Sequence, residues 1–181
     1  MKRSIIDTIN RLEKQLSQVH FIVNSIEHKR ATSSKTLRDW LIETEELLQK
    51  LRITEASKFA TKRGELSAFI PKDLRNKKRE QLQFCASLLT QSQEDLWNLY
   101  EGFQIKLENA KSLITQLLGV VYQTNQFKYN PSENFTLFLE RIWSFCKQHP
   151  QLNGITMQIT NLINKTDVLI IIGEEIDIES I

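Results

Sequence analysis

The sequence predicts an all-α or mainly α protein, an antiparallel bundle of long amphipathic helices, with a short C-terminal β-hairpin or strand as its one departure. Five glycines and three prolines in 181 residues leave little turn chemistry for a many-stranded sheet. Ile5, Ile9, Leu12, Leu16, Val19, Val23 and Ile26 recur at alternating spacings of four and three, the seam of an amphipathic helix. The run from Asp73 to Phe127 contains no proline and carries apolar residues at helical spacing from Leu82 to Val121.

Helices are expected at about 4–30, 34–58, 73–91, 93–126 and 132–148, forming a bundle over residues 1–150, with a segment of strand character at 151–181. The first helix presents the seam above and suits either a coiled coil or a bundle. On it, Leu16→Ala is expected to destabilise by about 2–5 kcal/mol and Gln15→Ala to be nearly silent. Ser33 or Ser34 offers a cap for the second helix, whose seam runs Leu37, Leu41, Thr44, Leu48 and Leu51 and which folds back on the first as a hairpin. This helix fades between Thr54 and Gly64, and Pro71 ends the stretch that follows. A single helix over 73–126 would measure about 80 Å, longer than a compact domain of this size, so two helices are expected there. Ser92, followed by Asp95, supplies the internal start signal, and Gly102 and Gly119 the weak points. Ser132 is the expected cap of the aromatic helix over 132–148, and His149-Pro150 its stop.

The tail changes character. Val168 to Ile172 is a β-branched run, and Ile176, Ile178 and Ile181 alternate with polar residues, which reads as strand. Residues 155–160 fit either strand or helix.

Charge is uneven along the chain. Residues 1–80 hold 18 Lys or Arg against 11 Asp or Glu, and residues 81–181 hold 6 against 11. Such asymmetry suits attraction between the halves or an anionic partner for the basic one. Within the basic half, Lys72, Arg75, Lys77, Lys78 and Arg79 cluster closely enough to contact a phosphate backbone, although no aromatic residue interleaves with them to stack bases.

No segment approaches the roughly 20 apolar residues of a membrane span, and Met1-Lys2-Arg3 has no apolar block behind it, so cytoplasmic residence is expected. Cys85 and Cys146 then read as buried thiols, and the sequons at Asn134 and Asn164 as chance matches. No phosphate loop, zinc-protease helix, Cys-x-x-Cys pair or serine elbow occurs, so no catalytic residue, metal, cofactor or small-molecule substrate is expected. Arg141 and His149, flanking an aromatic helix, resemble the Arg and His that helical HEPN ribonucleases place near a helix end. Seven residues separate the two, more than is usual in that family, and Ile142 follows the Arg where it tends to place a polar residue. The resemblance implies RNA cleavage by Arg141 and His149.

The leading expectation is a non-enzymatic interaction module, an adaptor, assembly factor or chaperone-like subunit that binds a protein partner or a second copy. Its contact residues would be Ile5, Ile9, Leu12, Leu16, Val19 and Val23 on the first helix, or Ile176, Ile178 and Ile181 in the tail. The alternative is a nucleic-acid-associated factor using the basic stretch over 58–79.

Overall fold

A computed structural model describes residues 2–73 and 75–180, with the Ser180 side chain outside the description. The described residues form helices and turns with no strand: α1 (Ile5–Ser17), α2 (Val19–Glu27), α3 (Ser33–Lys50), α4 (Ala56–Ala68), α5 (Lys77–Thr124), α6 (Phe135–Gln148), α7 (Asn153–Leu162) and α8 (Lys165–Glu175). A 3-10 turn over Ile178–Ser180 follows. The chain makes two compact units, one of residues 10–101 and the other of residues 1–9 with 102–181, and α1 and α5 each contribute to both. Residues 151–181 thus share a unit with residues 102–150.

In the first unit, the hairpin expected from the two leading seams is present. Ser25 bonds Ser33 near the turn, while Gln15 reaches Trp40 and Thr44 farther from it, so the two strands of helix run in opposite directions. Leu12, Val19, Ile22, Leu37, Leu41 and Leu48 are buried, and Phe59 of α4 closes on Trp40 with ring centroids 6.3 Å apart. The expected first helix is interrupted only at Gln18, whose backbone stays right-handed (φ −74°, ψ −18°).

The expected second helix is two helices. It ends at Lys50 because Arg52 turns left-handed (φ 45°), its N–H bonding the Gln49 carbonyl while that of Ile53 bonds the Leu48 carbonyl. Lys29 ends α2 the same way, at φ 50°. Neither position carries the glycine that normally marks such an end; the end of α2 nevertheless falls close to the expected boundary near residue 30, whereas that of α3 does not. Arg52→Gly is expected to stabilise the protein by about 0.5–1 kcal/mol by removing the Cβ conflict of the left-handed backbone. A lowered midpoint in denaturant would show that contacts of the Arg52 side chain outweigh that relief.

Seam polarity also needs correcting. Gln15 is 6% exposed, its amide donating to Thr44 Oγ1 at 2.8 Å, and the Trp40 indole donates to its carbonyl at 3.0 Å, whereas Leu16 is only half-buried. Gln15→Ala is therefore expected to destabilise by about 1–2 kcal/mol, through loss of the buried bond to Thr44 and the space its side chain fills, while the Trp40 indole keeps the main-chain carbonyl of residue 15, and Leu16→Ala by about 1 kcal/mol, less than a core leucine. Equilibrium unfolding of the two variants decides, and a larger loss at Leu16 would restore the simple seam.

α5 is one helix where two were expected. Ser92 is not a cap; its buried hydroxyl donates to the Leu88 carbonyl at 2.6 Å within the continuous helix. Asp95 turns to Lys58 and Lys62. The helix begins at Lys77 rather than Asp73, because Asp73 holds the preceding turn by accepting from the Arg75 N–H at 2.8 Å. Glu80 reaches back to the Lys72 N–H at 2.7 Å.

In the second unit, α6 packs on α7 and α8, with Phe138, Ile142, Trp143 and Cys146 buried, and Ile114 and Leu117 of α5 are buried in the same unit. Asn134, not Ser132, caps α6, accepting from the Thr136 N–H at 2.9 Å and the Leu137 N–H at 3.3 Å. His149, forced extended by Pro150, ends it as expected (ψ 121°). The predicted C-terminal strand is a correction. Val168, Ile171 and Ile172 bury one helical face, and Asn164 caps α8 by accepting from the Asp167 N–H at 2.8 Å. Burial at helical spacing overrides the β preference of the branched side chains, which is a weak prior. Residues 155–160 are helical for the same reason, with Thr156, Ile159 and Ile163 buried at spacings of three and four.

The start of α1 is fastened to α8 and α7. Ser4 caps α1 through the Asp7 N–H at 3.0 Å. Fully buried Asp167 accepts from the Ser4 hydroxyl and the Ile5 N–H, both at 2.6 Å, and the Lys2 ammonium donates to the Asn161 carbonyl at 2.7 Å.

Candidate functional site

The end of α2 and the start of α5 enclose an open cleft of about 610 Å³. Ile26, Leu82 and Ala86 supply its apolar floor, Glu27, Asn76 and Gln83 further polar lining, and Lys29, Arg75, Lys78 and Arg79 its cations. Each cation has a structural reason to be there. Lys29 occupies the left-handed position that ends α2. Arg75 lies in the turn held by Asp73, and Lys78 and Arg79 occupy the first turn of α5, with Leu82 and Ala86 four residues apart beneath them.

Lys29, Arg75, Lys78 and Arg79 are all exposed, and among the described residues none has an ion-pair partner. Some cations elsewhere are paired: Arg63 with Glu45 at 2.9 Å, and Lys165 with Glu140 at 2.6 Å. Deep charge is paired as well. Lys62, only 9% exposed, and Lys58 converge on Asp95, with Lys62 also over the Phe59 ring. Burial pushes the Asp95 carboxyl pKa up, but hydrogen bonds and charge from Lys62 and Lys58 outweigh it and hold the pKa below its usual value.

A carboxyl with a lowered folded pKa stabilises the fold above its unfolded pKa of about 3.9, and that contribution is lost as pH falls through the folded value. Asp95→Asn is thus expected to destabilise by about 1 kcal/mol at neutral pH, with the gap to the natural protein closing below about pH 4. Unfolding at pH 7 and pH 3 checks it; a gap equal at both would mean the charge is not what stabilises.

Of the predicted basic residues, the structure brings Arg75, Lys78 and Arg79 to the cleft, and leaves Lys72 and Lys77 outside its lining. Sequence reading missed Lys29 and Ile26, which are far from the basic cluster along the chain and join it only in the folded cleft. The predicted contact residues of the first helix are mostly internal: Ile5, Ile9, Leu12 and Val19 are buried, Leu16 is half-buried, and Val23 is 37% exposed. In the tail, Ile176 is buried, Ile178 is 42% exposed, and Ile181 lies outside the described residues.

Arg141 and His149 are not brought together. With seven residues between them, they lie about 12 Å apart along the axis of α6. Arg141 pairs with Glu133 at 3.2 Å and covers the Phe138 ring, while His149 packs on Phe145 at 5.3 Å between centroids. The His149 Nδ1 is buried without a hydrogen-bond partner among the described residues, which favours the tautomer with its proton on Nε2, since a buried bare donor costs more than a bare lone pair. Both thiols are fully buried, and burial raises their pKa values, that of Cys146 to about 12, so each stays protonated. Among the described residues, no three of His, Cys, Asp and Glu gather to hold a metal ion, and no helix is long and apolar enough to cross a membrane.

No family model, curated protein or solved structure matches the chain.

Proposed function

We propose that the protein is a non-enzymatic helical interaction module that receives an acidic, partly apolar protein segment in the cleft between α2 and α5. One observation carries this reading: four cations without acidic partners among the described residues surround a floor of Ile26, Leu82 and Ala86. An amphipathic segment satisfies both halves of that surface, because its apolar side chains leave water on the floor while its carboxylates meet the rim. Nucleic acid would meet the same cations through its phosphates. The lining offers no aromatic ring to stack a base, however.

The test is fluorescence anisotropy of a labelled peptide alternating Glu and Leu, titrated with the natural protein and with a Lys78→Glu, Arg79→Glu variant. Binding is expected to weaken with added salt and to disappear in the variant. Tighter binding of a single-stranded oligonucleotide, with a steep logarithmic salt dependence, would move the assignment to nucleic acid. Failure of both probes would reject the cleft as a docking site.

A further inference from the structure

The tail of the same chain has the chemistry that the cleft lacks. Glu174, Glu175, Asp177 and Glu179 are exposed around Ile178, which is 42% exposed, in a segment that leaves α8 and closes in a 3-10 turn. Among the described residues Glu174, Glu175 and Glu179 have no ion-pair partner. The Asp177 N–H donates to the Tyr122 hydroxyl at 2.9 Å, and the Glu179 N–H to the Asp177 carboxylate at 3.0 Å, so the turn is held in shape while its acids face water. In the cleft the pattern is inverted, with cations around an apolar floor.

We infer that the cleft between α2 and α5 receives residues 174–179 of a second copy of this chain. The inference rests on the cleft being a protein-docking site, as proposed above. In the contact, Ile178 seats on Ile26, Leu82 and Ala86, and the surrounding carboxylates meet Lys29, Arg75, Lys78 and Arg79. Charge complementarity selects this occupant, since the tail offers acids and an exposed isoleucine together where the cleft offers cations and an apolar floor. The two surfaces differ, so the contact is heterologous; copies join head to tail unless a reciprocal pair closes. Exposed charge pairs around one apolar anchor make a weak contact, and association is expected to rise with protein concentration and fall with salt.

The test is light scattering of the full chain over a concentration series at low and high salt, with two charge-reversed variants: Lys78→Glu with Arg79→Glu in the cleft, and Glu174→Lys with Glu175→Lys in the tail. The natural protein is expected to reach at least twice the monomer mass at low salt and to return to monomer at high salt. Each variant alone is expected to stay monomeric, with unchanged circular dichroism. An equimolar mixture is expected to associate again, because the acidic tail of one variant meets the basic cleft of the other. A natural protein that stays monomeric, or an oligomer whose mass survives both variants, overturns the inference. The anisotropy experiment separates this from the broader reading: if the Glu and Leu peptide binds while the natural protein stays monomeric, the cleft takes another protein and not this tail. If neither association nor peptide binding occurs, both fail.

Discussion

Phe59→Ala is expected to produce the largest loss of stability among single substitutions in the first unit, about 3–5 kcal/mol. The ring is fully buried on α4 and meets Trp40 of α3 edge-on, at 70° between planes. Truncation removes the transfer free energy of a whole phenyl group and leaves a space that rigid neighbours fill only in part. A second contribution is specific to this site. The Lys62 ammonium lies 5.5 Å from the ring centroid while it bonds Asp95, so the ring is also the surface on which a buried cation rests. Phe59→Leu keeps most of the apolar volume and is expected to lose about 1–2 kcal/mol. Denaturant unfolding of both variants is the check. A loss at Phe59→Ala below about 1 kcal/mol would mean the α3 and α4 contact is not what holds this unit.

Asp167→Ala is expected to have a comparable effect in the other unit, about 2–4 kcal/mol, through a different mechanism. What is lost is the acceptor for the Ser4 hydroxyl and the Ile5 N–H, both bonded to the carboxylate at 2.6 Å, at a side chain with no solvent exposure. Water reaches such a place poorly, so the donors are left with the desolvation penalty of unmade bonds. Asp167→Asn retains one acceptor oxygen and is expected to fall between Ala and the natural residue. Hydrogen exchange gives a local readout beside the global one: the amide of Ile5 should lose protection in Asp167→Ala before residues at the centre of α6 do. Protection unchanged at Ile5 would show that the carboxylate does not fasten α1.

Apolar spacing made much of this architecture legible, and the failures have identifiable causes. Ile5, Ile9, Leu12 and Val19 point inward as their periodicity requires. Gln15 also points inward, and no periodicity of apolar residues can show that, because its burial depends on Trp40 and Thr44 being presented by another helix. Arg52 stops α3 in a conformation usually marked by glycine, so that end was invisible, while Lys29 stops α2 close to the expected boundary. Ser92 and Asp95 imitated a helix start because the side chains that cap a first turn also serve within a helix, one bonding the preceding turn and the other pairing with lysines of α4. At the candidate site, Arg75, Lys78 and Arg79 were legible as local charge. The floor residue Ile26 and the fourth cation Lys29 were not, since neighbours in space from distant parts of a chain leave no local pattern.

The fastening of α1 to α7 and α8 bears on how the chain is made. Lys2, Ser4 and Ile5 find their partners at Asn161 and Asp167, about 160 residues later in the sequence. At synthesis rates of about 5–20 residues per second, those first residues wait roughly 8–30 s before their partners exist. Residues 10–101, by contrast, complete a compact unit early. During translation Ile5 and Ile9, buried in the finished fold, therefore emerge well before the residues that fasten the start of α1. That interval is when the polypeptide is most open to capture by holdases or to clumping on crowded polysomes, because contacts that span so much of the chain form only after most of it is made.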